Sequence, residues 1–156
     1  MQKLTGDPST KEYWNNRVKQ IPDMKDMLFL DGRREEYWTR VRHYLMGMEP
    51  GEVLDIACGY GQFAKIFKPK DYIGVDFSQE MIKLAKEKNP DYIFICQDAK
   101  TFTCEPGDYV IEVNSLRSLA MTAEQFIEKF KPYAKRAVVC LEADRFVIEQ
   151  IYADNK

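Results

Sequence analysis

The stretch VLDIACGYG, from Val53 to Gly61, decides the fold of this chain. A short apolar run encloses Asp55, and small residues with two glycines follow at once. Apolar runs of this length are typical of a buried strand, and glycine lets the backbone turn tightly and approach another molecule closely. A buried carboxylate also needs a partner, because an unpaired charge is costly in apolar surroundings. The pattern therefore predicts a strand followed by a turn that binds a ligand.

The composition is that of an ordinary globular protein with one domain. The chain has 156 residues, of which 45% are hydrophobic and 31% charged, and its net charge at pH 7 is −2. This balance disfavours the basic surface that binds nucleic acid or an anionic membrane. No apolar run reaches the ~20 residues of a membrane span, and the polar start has no signal-peptide pattern. We expect a protein that binds neither membranes nor nucleic acid.

The cysteines are scattered, without the close spacing or histidine neighbours of a zinc site. They are Cys58, Cys96, Cys104 and Cys140. Such cysteines are typical of reduced thiols, so the sequence predicts no metal and a cytoplasmic location.

Two helices are predicted before the first strand. Ser9-Thr-Lys-Glu12 has the pattern of a capping box, and apolar residues follow it at helical spacing as far as Ile21, just before Pro22. A second helix with one apolar face is predicted from Arg33 to Met48.

Short apolar runs and helical segments then alternate. The predicted strands are Val53–Ile56, Tyr72–Val75, Tyr92–Cys96, Tyr109–Val113 and Ala137–Leu141. The predicted helices are Gln62–Phe67, Ser78–Lys88 with Ser78 as its cap, and one from the Thr122–Gln125 capping box to about Tyr133. This alternation predicts an α/β fold, a three-layer α/β/α sandwich around a doubly wound, mainly parallel sheet. Phe146 to Tyr152 is expected to fold back as one antiparallel strand.

Ligands of such sheets lie at the carboxyl ends of the strands, where the winding reverses. Four strand ends read DIACGYG from Asp55, GVDF from Gly74, CQDA from Cys96 and EVNS from Glu112. In this order and spacing, from about residue 51 to residue 141, the chain resembles the class I S-adenosylmethionine-dependent methyltransferases, whose fold is Rossmann-like. Ala57 stands where that family usually has glycine. The chain is similar to a short member with a truncated C-terminal part, and it offers one antiparallel strand where the family has two.

The resemblance implies S-adenosylmethionine as the cofactor. Asp76 would accept hydrogen bonds from the two ribose hydroxyls, Phe77 and Met81 would flank adenine, and Asp98 with the Ala99 amide would read its polar edge. The remaining implied cofactor contacts come from the first turn and the fourth strand end: Asp55, Ala57, Cys58, Gly59, Tyr60, Gly61 and Asn114. Asp55 and the backbone of residues 57–59 would face the ammonium and carboxylate of the cofactor.

The reaction implied by the resemblance is methyl transfer to a small molecule by in-line displacement. Alignment alone can supply ~7–11 kcal/mol of the barrier, and a base is needed only where the acceptor must lose a proton. The histidine that many members have after the fourth strand is absent, which leaves Glu112 as the candidate catalytic residue, although its backbone carbonyl is an equally good ligand for the cofactor's ammonium. Tyr13, Trp14 and Arg17 are candidates for substrate contacts.

On this interpretation the chain is one domain, with residues 1–50 as a helical cap, 51–142 as the cofactor-binding core and 143–156 as the C-terminal strand. One alternative is a non-catalytic S-adenosylmethionine-binding module, or a subunit that needs a partner. A more distant alternative is an NAD-binding protein, because Gly59 to Ala64 also matches G-x-G-x-x-G/A. An exposed sheet edge after the last strand would favour a homodimer or a partner subunit that covers it.

Overall fold

One sheet of six strands organises the residues that the structure, a computed structural model, describes, namely 6–20 and 34–151. The strands are β1 (Val53–Ile56), β2 (Tyr72–Asp76), β3 (Ile93–Cys96), β4 (Gly107–Val113), β5 (Ala134–Leu141) and β6 (Phe146–Gln150). The helices are α1 (Lys11–Gln20), α2 (Arg34–Met46), α3 (Gln79–Lys88), α4 (Leu116–Leu119) and α5 (Ala123–Phe130). Three 3-10 turns lie at Ala64–Ile66, Pro69–Asp71 and Lys131–Tyr133.

The strand order is β3-β2-β1-β4-β5-β6, with the first five strands parallel and β6 antiparallel to β5. β1 is central, because Asp55 lies beside Gly74 of β2 on one side and Ile111 of β4 on the other. The winding reverses between β1 and β4, which is where ligands of open α/β sheets bind. The predicted α/β fold with one antiparallel C-terminal strand is confirmed.

Alternation along each strand divides the buried side chains between the two faces of the sheet. Val53 and Ile111 belong to a core with α2 and α3, whereas Leu54 and Val110 belong to a second core with α4 and α5. Tyr37 ties α2 to the sheet, since its hydroxyl donates to the Leu141 carbonyl at 2.5 Å. Both faces are therefore covered, as the nearly continuous apolar strands predict.

Two predicted helix caps are confirmed. Ser78 Oγ accepts from the Met81 N–H at 3.2 Å at the start of α3. Thr122 and Gln125 form the reciprocal capping box of α5, with distances of 2.9 and 3.1 Å between the paired atoms.

The structure corrects four details of the predicted elements. α1 begins at Lys11, and Thr10 rather than Ser9 accepts from the first turn, at 3.3 Å from the Tyr13 nitrogen. The Ser9 hydroxyl instead donates to Asp7, which competes for it in the preceding turn. α2 ends at Met46, the segment predicted as helix from residue 62 to 67 forms only a 3-10 turn, and α4 was not predicted. Residues 21, 22, 33 and 152, which bound three predicted elements, lie outside the described residues.

Within the described ranges, no helix combines the length and the apolar character needed to cross a bilayer.

Candidate functional site

The turn after β1 contains three residues in the left-handed region. Ala57, Gly59 and Gly61 have φ values of 56°, 58° and 75°. Glycine adopts such angles freely, whereas an alanine there costs roughly 1–2 kcal/mol. Strain of this kind persists only where the surrounding structure holds it, and it is common at functional sites.

Asp76 joins this turn to the next one. Its Oδ2 accepts from the Gly59 N–H and its Oδ1 accepts from the Ser78 N–H, both at 2.9 Å. Burial raises the pKa of Asp76 to about 6, although the hydrogen bonds from Ser78 and Gly59 oppose that rise. Each oxygen keeps a further lone pair for a ligand hydroxyl.

A cavity of about 500 Å³ opens at the carboxyl ends of the parallel strands. Of the residues predicted to bind a cofactor, its wall contains Ala57, Gly59, Tyr60, Asp76, Phe77, Met81, Asp98, Ala99 and Asn114. The predicted substrate contacts Tyr13, Trp14 and Arg17 line the same cavity. Residues that follow β1, β2, β3 and β4 thus meet around one space.

Asp55, Cys58 and Gly61 lie outside this wall, which differs from the expectation that they face a ligand. Asp55 Oδ2 accepts from the Tyr72 hydroxyl at 2.6 Å, and burial raises the pKa of Asp55 to about 7. A Cβ at Gly61 would lie 2.7 Å from Cζ of Phe94. Packing against β3 therefore requires glycine at position 61. Direct contact of these three residues with a cofactor stays a prediction.

α1 covers the cavity and is attached to the turn after β2. The Ser78 hydroxyl donates to Asn15 Oδ1 at 2.5 Å, and Trp14 packs beside Tyr60 and Met81. Arg17 on the same helix is only 5% exposed, and its Nη2 has no hydrogen-bond partner among the described residues. Burial lowers the pKa of Arg17. A buried guanidinium nitrogen without an acceptor fits an anionic group of a ligand, because leaving it unpaired is costly.

Two carboxyl groups lie at the ends of β4 and β5. Glu112 is fully buried, and its Oε2 accepts from Ser115 N–H at 3.0 Å and from Ser115 Oγ at 2.9 Å. Burial, and then the neighbouring Glu142, raise the pKa of Glu112 to about 9. Glu142 lines the cavity and Glu112 does not. Glu112, the candidate catalytic residue, is thus separated from the cavity, and the acid that lines the cavity is Glu142, which sequence reasoning missed.

Sequence reasoning missed other wall residues as well, among them Gln62, Gln97, Ser115 and Arg117. Glu142 carries a signal that could have identified it, since it follows β5 directly and the same argument from strand ends applies to that strand. Trp38 belongs both to the core under α2 and to the wall. Its aromatic character alone does not distinguish the two roles.

The donor set fits a nucleoside-containing cofactor. Asp76 offers acceptors for vicinal hydroxyls, Phe77 and Met81 supply apolar surface for a base, and Arg17 supplies a positive charge. The described residues contain no cluster of three His, Cys, Asp or Glu side chains that could hold a metal ion.

Comparison with curated proteins finds distant relatives. The probable tRNA methyltransferase 9B of Mus musculus is 24% identical over 131 residues, which cover 83% of this chain and 29% of that protein. An uncharacterised protein of Methanocaldococcus jannaschii is 31% identical over 110 residues, covering 68% of this chain and 52% of the relative. The chain thus spans between about a third and half of the length of these relatives.

Among solved structures, the magnesium protoporphyrin IX methyltransferase of Synechocystis PCC 6803, crystallised with bound SAM, superimposes with a TM-score of 0.62. It is 20% identical, and the match covers 89% of this chain and 77% of that chain. At this identity the likeness shows the fold. The family described as "Methyltransferase domain" matches residues 53–138, which is more than half of the chain. The glycine turn, the strand ends that follow it and this match agree, and the chain belongs to the methyltransferase-domain family.

Proposed function

We propose that this protein is an S-adenosylmethionine-dependent methyltransferase that acts on a small molecule. The observation that carries the proposal is the single cavity in which the glycine turn, Asp76 and Asp98 meet. A dinucleotide site would need an apolar residue where Asp55 stands in the strand, and the family match favours the methyltransferase.

The cavity wall supports a definite orientation of the cofactor. Asp76 receives the ribose hydroxyls, Phe77 and Met81 flank adenine, and Asp98 with the Ala99 N–H binds its polar edge. The methionine part then lies along the turn after β1 and towards Asn114. Asp55, Cys58 and Gly61 serve the site by supporting that turn.

The wall formed by the helices supports a small acceptor. Tyr13, Trp14 and Trp38 supply aromatic surface, Arg17 supplies a charge, and the volume of about 500 Å³ lies in the range of sites for small molecules. When bound, the cofactor supplies a methyl group on a positively charged sulfur. The chain aligns the acceptor with that methyl group and excludes water, which together account for much of the rate of such a displacement.

Cofactor binding tests the proposal first. Calorimetry with S-adenosylmethionine, S-adenosylhomocysteine and NAD should show binding of the first two alone. Asp76→Ala should weaken both at least about a hundredfold, because two ribose hydroxyls lose a charged acceptor at roughly 1.5–3 kcal/mol each. Asp91→Ala, which changes an exposed acid away from the cavity, is the matched control. Undiminished affinity in Asp76→Ala, with a melting curve like that of the parent, would overturn the assignment.

The acceptor class needs a second experiment. Labelled S-adenosylmethionine is incubated with the protein and either a metabolite extract or a tRNA fraction. Label in a small metabolite is expected, since a net charge of −2 gives little attraction for a polyanion. Label in tRNA would instead indicate tRNA as the substrate, in line with the name of the mouse relative. Tight binding without product in any fraction would favour a non-catalytic module or a subunit that needs a partner.

Location and partners belong to the same proposal. The four cysteines are unpaired in the described structure, which supports a reducing compartment such as the cytoplasm. β6 forms one edge of the sheet among the described residues, which supports a homodimer or a partner subunit on that side.

A further inference from the structure

Glu112 and Glu142 form a pair of carboxyl groups between the sheet and the cavity. Glu112 Oε1 and Glu142 Oε2 are both buried, and neither has a donor among the described residues. The two carboxyl groups are close enough to hydrogen bond to each other when one of them carries a proton. Ser115 occupies the other oxygen of Glu112 through two donors, which holds the free oxygen in place.

Arg17, Lys100 and Arg117 line the same cavity as Glu142, but none of them forms an ion pair with either carboxyl group among the described residues. Ser115, directly before α4, faces Glu112, and Cys140 faces it from β5, where burial and the two acids raise the pKa of the thiol. Among the described residues, neither carboxyl group takes part in an ion pair, and the nearby Arg145 is bound to Glu124 at 2.8 Å. Two carboxylates this close do not both ionise easily, so the pair shares one proton. Burial raises the pKa of Glu112, so Glu112 is the member that holds the proton, and Glu142 is the member that lines the cavity.

Glu142 lies far from the expected adenosine end of the cavity. Asp76 and Asp98 follow β2 and β3, whereas Glu142 follows β5, three strands from β2 in the sheet. At ~4.8 Å between neighbouring strands this separation is about 14 Å. A ligand anchored at β2 therefore extends its other end towards the β4–β5 side.

We propose that Glu142, positioned by Glu112, binds the amino group of the methyl acceptor and removes one of its protons. This inference rests on the proposed function and names its substrate class. A carboxylate without a cationic partner pairs naturally with an ammonium group, and in a site that excludes water the neutral forms are favoured over the charged pair. A proton then passes from the ammonium nitrogen to Glu142, which leaves an amine with a free lone pair.

The lone pair of the nitrogen forms a bond to the methyl carbon while the carbon–sulfur bond breaks, and the electron pair of that bond stays on sulfur. The product leaves as an N-methylated ammonium ion. The proton held by Glu142 then passes to water.

The binding test uses matched probes on protein loaded with S-adenosylhomocysteine. Benzylamine, benzyl alcohol and benzoate share one aromatic ring, which suits the aromatic wall, and differ in charge. Ligand-observed NMR at pH 7 should give benzylamine at least about a tenfold preference over benzyl alcohol. Glu142→Gln should reduce that preference to about one. Glu112→Gln should keep it within about threefold of the parent, because Glu112 is the neutral member of the pair.

The protonation test does not depend on any ligand. Carbon-13 NMR of protein labelled in glutamate should show one carboxyl carbon that stays protonated at pH 7. The signal should be absent from Glu112→Gln and unchanged in Glu128→Gln, an exposed acid on α5 that serves as the control. Absence of a protonated carboxyl in the parent protein would overturn the shared proton, and hence the proposal.

The remaining outcomes separate this proposal from the proposed function. A preference for benzoate or benzyl alcohol, no benzylamine binding, or an unchanged preference in Glu142→Gln would overturn the amine assignment. Weaker S-adenosylhomocysteine binding in Glu142→Gln with the amine preference intact would assign Glu142 to the cofactor instead. Failure of the parent to bind S-adenosylhomocysteine, with the protonated carboxyl present, would overturn the proposed function and leave the carboxyl pair standing.

Discussion

At the residue scale, the small residues of the turn after β1 are required for different reasons. Ala57 and Gly59 line the cavity with positive φ, whereas Gly61 makes room for the Phe94 ring and Gly74 for Phe94 and the Cys58 sulfur. The sequence pattern predicted a turn stripped of side chains, and the turn is there. It could not show that one glycine serves a strand 33 positions later, because that contact depends on the tertiary fold. Local pattern and distant packing select the same residue type.

The properties of Asp55 also depend on the tertiary fold, because packing buries its carboxyl group. Its carboxyl group is buried and accepts a hydrogen bond from the Tyr72 hydroxyl. Burial raises the pKa of Asp55 from 3.8 to about 7. The folded protein therefore binds this proton more tightly than the unfolded chain does. As a result, the contribution of Asp55 to the free energy of unfolding is full below pH 4 and is lost as the pH rises to about 7.

We expect Asp55→Asn to raise the free energy of unfolding at pH 8 by up to roughly 4 kcal/mol, since one pKa unit is about 1.36 kcal/mol. The amide oxygen can still accept from Tyr72, and the buried negative charge is gone. Urea unfolding at several pH values measures the effect, which should shrink towards zero near pH 4. Asp91→Asn, an exposed acid, should show no such trend. A variant less stable than the parent at pH 8 would contradict the argument.

At the element scale, strands were more predictable than helix ends. The apolar runs located all five parallel strands, and the side-chain caps at Ser78 and Thr122 located two helix starts. The short helix α4 was not predicted, and the segment predicted as a helix from residue 62 to 67 forms only a 3-10 turn at Ala64–Ile66, because each is too short for an apolar period to develop. The start of α1 was wrong by one cap residue, since Asp7 takes the Ser9 hydroxyl. Competition between neighbouring side chains cannot be read from spacing alone.

The attachment of α1 is an element-scale property with a testable consequence. Asn15 Oδ1 accepts from Ser78 Oγ at 2.5 Å and from the Glu80 N–H at 3.4 Å, so one side chain joins α1 to the start of α3. Asn15→Ala removes that acceptor and leaves the Ser78 cap on Met81 intact. Amide exchange of residues 11–20 should accelerate by about fivefold to tenfold, in line with a lost hydrogen bond of ~1 kcal/mol.

The adjacent Asn16 is exposed, which makes Asn16→Ala the matched control. S-adenosylhomocysteine affinity should fall with Asn15→Ala and not with Asn16→Ala, because Arg17 and Trp14 on α1 line the cavity. Equal exchange rates in both variants would show that α1 is held by its apolar face alone.

At the scale of the whole molecule, the cavity combines parts that are distant in sequence. Its wall runs from the N-terminal helices to Glu142 after β5. Strand ends could be predicted as far as β4, because each has a polar or small residue directly after an apolar run. The partnership of Glu112 with Glu142 and the burial of Arg17 could not, since both depend on how helices and strands pack. The predicted site was therefore most complete on the β2–β3 side.

The pairing of β6 with β5 determines which backbone N–H groups of β6 point outwards. The hydrogen bonds from Ile151 N to Arg136 O at 2.8 Å and from Glu142 N to Arg145 O at 3.1 Å fix which residues of β6 face β5. Because hydrogen-bonded and non-hydrogen-bonded pairs alternate in an antiparallel ladder, the N–H groups of residues 146, 148 and 150 point away from β5. These groups offer a template for a further strand.

We expect two copies of the protein to pair along this edge, and sedimentation velocity over a range of concentrations would measure the association. Gln150→Pro removes one outward N–H from an exposed position, and proline is tolerated where a strand N–H faces outward. It should weaken the dimer and leave the unfolding transition nearly unchanged. Glu149→Pro removes an N–H that faces β5, so it should lower the melting temperature as well. A parent protein that sediments as a monomer at every concentration would rule out pairing between copies, and the β6 edge would then be left for a different partner.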